Sequence, residues 1–181
     1  YPGERNTTDA HRRTMIKHGW SKLFDVDILD AEGPDLELPI PNGKRIQKNL
    51  VGKDIKNYDS MLVLSHFKGH PMGGFGGALK QLSIGCASSA GKANIHGAGK
   101  PEEMWTTEQN AFLESMADAA ESVVKLFDGK IVYINVMKNM SVDCDCCAVA
   151  EDPCMKDIGI LASLDPIAID QACLDLVYAS D

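Results

Sequence analysis

The chain has 181 residues, of which 44% are hydrophobic, and its formal net charge is −8. A chain of this size buries about two-thirds of the surface that it exposes when unfolded, so we expect residues 1–181 to form a single domain. The sequence contains no basic run, which argues against a nucleic-acid partner. It also contains no apolar stretch near the about 18 to 20 residues that cross a bilayer, which argues against a membrane span.

The chain starts at Tyr1 instead of Met and stops at Asp181, directly after an apolar helical pattern. We therefore expect it to be an internal part of a longer, two-lobed α/β protein. Three of its six cysteines lie within residues 144–147. Neighbouring cysteines make strained disulfides but good ligands for soft metals, so this pattern favours a reducing cytoplasm over a secreted, disulfide-bonded protein.

In chain order, the first predicted element is a helix that starts after Thr7 or Thr8 and runs to His18, where Gly19 supplies a left-handed stop. Alternating apolar and polar residues then predict half-buried strands at 24–29, 36–40 and 45–51, the last two joined by a turn. Residues 60–65 are apolar on both faces, which is typical of a central parallel strand covered by helices on each side.

The second half of the chain alternates helices and strands. An amphipathic pattern predicts a long helix at 108–126, and a strand follows at 130–136. After a cysteine-rich segment, a strand is predicted at 157–162 and a helix from Pro166 to about Tyr178. The alternation predicts an α/β fold with a mostly parallel sheet flanked by helices.

Residues 69–77 contain five glycines and directly follow the predicted central strand. Ligands of open α/β sheets bind beyond the carboxyl ends of strands, and glycines let a ligand approach the backbone closely. The segment matches neither a phosphate-binding P-loop nor a convincing dinucleotide fingerprint. The alternative is a glycine-rich turn with solvent-facing His and Lys side chains. The candidate cofactor-binding residues are Gly73, Gly74, Gly76, Gly77 and Lys80.

Thiolate and imidazole side chains suggest a metal site. Cys144, Cys146 and Cys154 lie on one predicted loop, and sulfur ligands of this kind bind iron–sulfur clusters or a single Fe, Zn or Ni ion. His66 and His96 flank the glycine segment and are the candidate imidazole ligands. Cys173 is predicted to be a core residue of the last helix, whereas Cys86 is predicted to lie either at the site or in the core.

Several motifs resemble the prokaryotic family of proteins with domain of unknown function 362, which is often associated with iron–sulfur and ferredoxin-like proteins. The resemblance covers nearly the whole chain. It rests on Arg5-Asn6-Thr7-Thr8, residues 65–80, Ser141-Val142-Asp143-Cys144-Asp145-Cys146, residues 157–163 and Asp165-Pro166. The resemblance implies a ferredoxin-type module or another electron-transfer partner.

The pattern His70-x3-Gly74-Phe75-x-Gly77-x2-Lys80, with His96 further on, is also similar to the cofactor segment of nickel-pincer lactate racemases. That similarity implies that His70 carries a proton, Lys80 anchors the cofactor and His96 ligates nickel. A second catalytic histidine is needed upstream, and His11 is the candidate. The substrate would be a small anion such as a hydroxy acid, since a racemase needs two bases and an electron sink.

Three functions therefore remain open at the level of sequence. The first is a metal- or iron–sulfur-binding protein with a role linked to electron transfer, and the second is a racemase-like or isomerase-like enzyme. The third is a non-catalytic structural module that accompanies ferredoxin domains. The sequence does not decide between an enzyme and a non-enzyme.

Overall fold

The computed structural model describes residues 4–33, 35–147 and 149–180. The elements in chain order are α1 (Thr8–Lys17), β1 (Leu36–Pro39), β2 (Lys48–Val51), β3 (Met61–His66), β4 (Lys68–His70), β5 (Gly74–Gly76), α2 (Ala78–Lys80), α3 (Ser89–His96), α4 (Gln109–Leu126), β6 (Ile131–Met137), β7 (Gly159–Ser163) and α5 (Pro166–Tyr178). Helix α2 continues as a π-helical turn, Gln81–Gly85. None of the helices within these ranges is long and apolar enough to cross a membrane.

The strands form a three-stranded sheet in the order β3-β6-β7 and two antiparallel pairs, β1 with β2 and β4 with β5. The α/β character predicted from the sequence is confirmed, but the three-stranded sheet is mixed instead of mostly parallel. Strands β3 and β6 are parallel, and β7 runs antiparallel to β6. The described residues between β6 and β7 contain no helix to carry a parallel crossover, so the chain returns in the opposite direction.

Helices cover one face of the sheet. Val63 and Tyr133 point to that face and pack with Val123 of α4 and Ile169 of α5 in the main core. The prediction that residues 60–65 are covered on both sides is therefore wrong for the described chain. The exposed apolar side chains of the opposite face are Leu62 (60%), Leu64 (56%), Val132 (43%) and Ile160 (69%).

Local signals account for the helix ends. The Thr7 side chain accepts from the N–H of Ala10 at the start of α1, and Gly19 has a φ of 79° after its end. Glu108 caps α4 in the same way, and Pro166 occupies the first turn of α5 behind the cap residue Asp165.

Other sequence predictions were wrong. Residues 24–29 form no strand, since Phe24 and Val26 stay exposed and no neighbouring strand pairs with them. The strand predicted at 45–51 begins only at Lys48. Helix α3 was missed because its sequence is short of apolar residues. Its start is set by the Ser88 hydroxyl, which accepts from the N–H of Gly91 at 3.1 Å.

Gly91 allows α3 to lie against β2, and this contact yields a test of the fold. A Cβ on Gly91 would lie 2.0 Å from the carbonyl oxygen of Leu50, so Gly91→Ala must displace backbone. We expect a loss of about 2 kcal/mol or more in the free energy of unfolding, measured by urea denaturation. Gly33→Ala is the control because nothing lies within 4 Å of its Cβ position. Equal unfolding midpoints for the two variants would contradict this packing.

Candidate functional site

The candidate site lies where two loops meet beyond the carboxyl ends of β3 and β6. The β4–β5 hairpin follows β3, and the cysteine loop, residues 138–158, follows β6. The N–H of Gly69 donates to the carbonyl of Ser141 at 2.8 Å. A Cβ on Gly69 would lie 2.4 Å from the carbonyl oxygen of Val142, so only glycine lets the loops come this close.

Cys144 is the centre of the site. It is 3% exposed, and its Sγ lies 3.4 Å from Lys80 Nζ and 3.4 Å from the backbone nitrogen of Cys146. Burial alone raises the pKa of the Cys144 thiol. Hydrogen bonds from the His70 imidazole and from Cys146, together with the charge of Lys80, outweigh burial and lower the pKa to about 6. The thiolate is therefore the main form of Cys144 at neutral pH.

Cys146 behaves in the opposite way, although it lies only two residues further on and is exposed. Partial burial of its sulfur and the hydrogen bond and negative charge of Cys144 raise the pKa of Cys146 to about 12. The two thiols thus share one proton, and Cys146 holds it. This asymmetry distinguishes a nucleophilic sulfur from a neighbouring protonated thiol.

The tautomer of His70 is fixed by the hairpin turn. The backbone N–H of Gly73 donates to His70 Nδ1 at 2.8 Å, so the neutral ring carries its proton on Nε2. A Cβ on Gly73 would lie 3.2 Å from that Nδ1, which is closer than an ordinary van der Waals contact. Glycine at this position therefore leaves room for the ring. With Nδ1 occupied, Nε2–H is the donor left on the neutral ring for the interaction of His70 with the Cys144 thiol, which lowers the pKa of that thiol.

Two lysine side chains pass over Gly76 on their way to the cysteine loop. A Cβ on Gly76 would lie 3.2 Å from Lys80 Cδ and 3.6 Å from Lys68 Cε. Lys80 ends at Cys144, whereas Lys68 Nζ lies 2.8 Å from a carboxylate oxygen of Asp145. The glycine therefore leaves the space through which both ammonium groups reach the loop.

Asp145, the residue between the two cysteines, makes several contacts that hold the cysteine loop in place. Its carboxylate also lies 2.9 Å from His66 Nδ1, and its carbonyl accepts from Arg5 at 2.9 Å. Burial raises the pKa of Asp145, but the bonds and charges of Lys68 and His66 outweigh it, so the pKa is lowered. The negative charge at Asp145 thus ties the cysteine loop to β3 and β4, and its backbone carbonyl ties the loop to the N-terminal segment.

His96 reaches the same region from the end of α3. Its Nδ1 donates to the carbonyl of Lys92 at 2.7 Å, so the neutral ring presents Nε2 as an acceptor. Burial lowers the pKa of His96, the hydrogen bond to the Lys92 carbonyl opposes this effect, and the charge of Lys80 adds to the lowering. The rings of His96 and His70 lie 4.9 Å and 6.4 Å from the ring of Phe112, measured between centroids.

The structure therefore brings together five of the predicted site residues: His70, Lys80, His96, Cys144 and Cys146. The glycine-rich segment is a hairpin followed by a helix start, and Gly73, Gly76 and Gly77 make room for side chains of the protein itself. Gly74 has a φ of 75°, which the turn between β4 and β5 requires.

The contacts of the remaining predicted residues are with other groups. Both ring nitrogens of His66 face oxygen atoms, since Nε2 lies 2.8 Å from the Lys138 carbonyl and Nδ1 faces Asp145. Cys154 is exposed, and its thiol lies 3.6 Å from the carbonyl of Met140. His11 lies in α1, close to the charges of Arg5, Asp30 and Lys92.

Sequence reasoning missed Phe112, Asp145 as a link to β4, and the buried carboxylate of Asp170. Asp170 accepts hydrogen bonds from the N–H groups of Ala78 and Leu79 at the start of α2. More than 90 residues separate it from that helix, so no local pattern announces the contact. Asp145 stands directly between two cysteines, and that position is the signal that would have found it.

Comparison with known proteins gives one match. The family model described as Domain of unknown function (DUF362) matches residues 2–175. No curated protein and no solved structure matches the chain.

The lowered pKa of Cys144 predicts selective alkylation. The rate of iodoacetamide labelling at Cys144, followed by peptide mass spectrometry, should rise with pH through about 6 and then level off, because only the thiolate reacts. Cys86 is the internal control, since burial raises its pKa to about 11. Lys80→Met should move the Cys144 profile to higher pH. An ordinary thiol profile at Cys144 in the unaltered chain would refute the assignment.

Proposed function

This chain belongs to the DUF362 family, and we propose that it is a thiol redox protein whose reactive atom is the sulfur of Cys144. The observation that carries the proposal is the convergence of His70, Lys80 and the Cys146 backbone on that sulfur. Positive and hydrogen-bonding groups around a thiolate are the usual environment of a reactive cysteine. The sequence predicts a role linked to electron transfer at a metal or iron–sulfur centre, and the present proposal assigns the redox step to sulfur instead.

The proposed chemistry is exchange with a disulfide. The Cys144 thiolate attacks one sulfur of the substrate disulfide, which breaks the S–S bond, forms a mixed disulfide and releases one substrate thiolate. The Cys146 sulfur, after loss of its proton, then attacks Cys144 Sγ and releases the second thiolate. Two protein thiols become one disulfide, and the substrate disulfide takes up two electrons and two protons.

The position of Cys146 supports its role as the second thiol. It is exposed, and its N–H lies against the Cys144 sulfur. Burial is the largest cause of the raised pKa of Cys146, and the hydrogen bond and negative charge of Cys144 add to it. The negative charge disappears once Cys144 is in a mixed disulfide. Cys146 thus becomes easier to ionise at the step in which it must attack. The Nε2–H of His70 stabilises the developing charge of a leaving thiolate by hydrogen bonding, and the ring keeps its proton.

A metal or iron–sulfur cluster at the same thiolates stays a prediction from the sequence. Thiolate and imidazole are suitable donors for Fe, Zn or Ni. In the part of the chain that the structure describes, however, no three His, Cys, Asp or Glu side chains are grouped to hold a metal ion. The redox step proposed above is routed through sulfur alone, and the metal ligand set stays a prediction.

The proposed setting is a reducing cytoplasm, where exposed thiols persist without forming disulfides. A ferredoxin-type module or another electron-transfer protein is the partner expected from the family resemblance. Its role would be to return two electrons to the oxidised cysteine pair.

A second candidate function is proton transfer on a small anionic substrate, and the convergence of His70, Lys80 and His96 favours it. His96 has a lowered pKa and an acceptor nitrogen, whereas His70 carries a proton on Nε2. A base, an acid and a positive charge for a carboxylate are the groups that such a reaction needs. This reading predicts a covalent cofactor adduct on Lys80, visible by intact-mass analysis of protein from its native host.

Three cysteine variants separate the roles in the redox proposal. On treatment with glutathione disulfide, Cys146→Ser should accumulate one glutathione on Cys144, because the second thiol that resolves the mixed disulfide is missing. Cys144→Ser should gain no adduct at the site. Cys147→Ser, which removes the neighbouring exposed thiol, should form the internal disulfide like the unaltered chain, detected as the loss of two hydrogens.

Metal analysis of the anaerobically purified protein decides between sulfur and metal chemistry. Equal glutathione labelling of the Cys144→Ser and Cys146→Ser variants would overturn the thiol redox proposal. Stoichiometric iron, zinc or nickel that is lost in Cys144→Ser would replace it with the metal-binding function.

A further inference from the structure

Asp170 is a buried carboxylate that lies directly behind the site. It sits on α5 and is 2% exposed. One carboxylate oxygen accepts from the Ala78 N–H at 2.8 Å and from the Asn135 amide at 2.7 Å. The other accepts from the Leu79 N–H at 3.0 Å. Both oxygens therefore bind donors, and two of the three donors belong to the first turn of α2, which carries Lys80.

The Asp170 carboxylate acts as the cap of this helix from a distant part of the chain. The residue in the cap position is Gly77, which has no side chain to offer. A Cβ on Gly77 would lie 2.3 Å from Asp170 Oδ1, so the carboxylate occupies the space of the missing side chain. A negative group at this end also suits the partial positive charge of a helix start.

The helix needs such an anchor because it has little regular structure of its own. Helix α2 spans only Ala78–Lys80 and passes directly into the π-helical turn Gln81–Gly85. Few α-helical hydrogen bonds hold its first turn, and fixing two of the N–H groups there fixes the backbone from which Lys80 extends. The Lys80 stem then lies over Gly76, and its Nζ reaches Cys144 Sγ at 3.4 Å.

We propose that Asp170 is a positioning residue for the redox site, which keeps the Lys80 ammonium at the sulfur of Cys144. This inference rests on the thiol redox function proposed above. Asp170 touches neither Lys80 Nζ nor Cys144 in the contacts described, so it acts on the sulfur through the start of α2. Loss of the anchor lets Lys80 move away, and the thiolate loses one of the groups that stabilise it.

The test is the pH dependence of Cys144 alkylation in Asp170→Asn, which keeps the shape of the side chain but places an amide NH2 against a donor. We expect the profile to move to higher pH. A rise of about one pKa unit lowers the thiolate fraction, and with it the alkylation rate at about pH 6, by about fivefold. Circular dichroism and thermal melting establish that the variant is folded.

Asp118→Asn is the matched control. Asp118 is another buried carboxylate, and it accepts from the N–H groups of Lys44, Arg45 and Ile46 far from the cysteine loop. Its replacement should reduce stability but leave the Cys144 profile unchanged. Gly77→Ala pushes the carboxylate away from the helix without removing it, so it should shift the profile like Asp170→Asn and serves if that variant does not fold.

A double-mutant cycle shows whether Asp170 acts through Lys80. In a Lys80→Met background, Asp170→Asn should cause no further shift in the Cys144 profile. An unchanged profile in both Asp170→Asn and Gly77→Ala, or a full shift in the Lys80→Met background, would overturn the positioning role. Failure of the redox function itself would be seen separately, as an ordinary thiol profile at Cys144 in the unaltered chain.

Discussion

The close approach of the β4–β5 hairpin to the cysteine loop is the constraint on which the site depends. Gly69 makes this approach possible, and three further glycines make room for side chains of the site. Gly69 lies against Val142, Gly73 against the His70 ring, Gly76 beneath the Lys80 stem and Gly77 against Asp170. In each case a side chain or backbone group of the site occupies the volume that a Cβ would take, so the glycine-rich segment serves to pack the protein against itself.

Electrostatics follows from this packing. Lys80, the Cys146 N–H and His70 meet at one buried sulfur, and they outweigh the burial that would otherwise keep Cys144 protonated. Lys68 and His66 are drawn instead to Asp145, which leaves Lys80 as the cation at the thiolate. Asp145 thus binds Lys68 and His66, while Lys80 stays beside the Cys144 thiolate. As a result the pKa of Cys144 is lowered and the pKa of Cys146 is raised.

Local sequence patterns predicted the parts that local physics determines. The capped helices α1, α4 and α5 and the strands β3 and β6 follow from periodicity and end signals. The conjunction of His70, Lys80 and His96 was expected from a motif, and the structure places them together. Contacts between distant residues escaped prediction, namely Asp170 with α2 and Asp145 with Lys68. The antiparallel return of β7 escaped it too, because it depends on the lack of a helix among the described residues between β6 and β7. The sequence also did not predict the exposed apolar face of the sheet, because the pattern of residues 60–65 is that of a strand buried on both sides.

The most direct test of the central claim is the redox titration of the cysteine pair in glutathione buffers, with thiols trapped by acid and alkylation and the modified peptides identified by mass spectrometry. The account predicts one two-electron transition, in which Cys144 and Cys146 lose their free thiols together while Cys147 keeps its own. Oxidation of Cys147 or Cys154 at the same potential, with Cys144 remaining a free thiol, would contradict it.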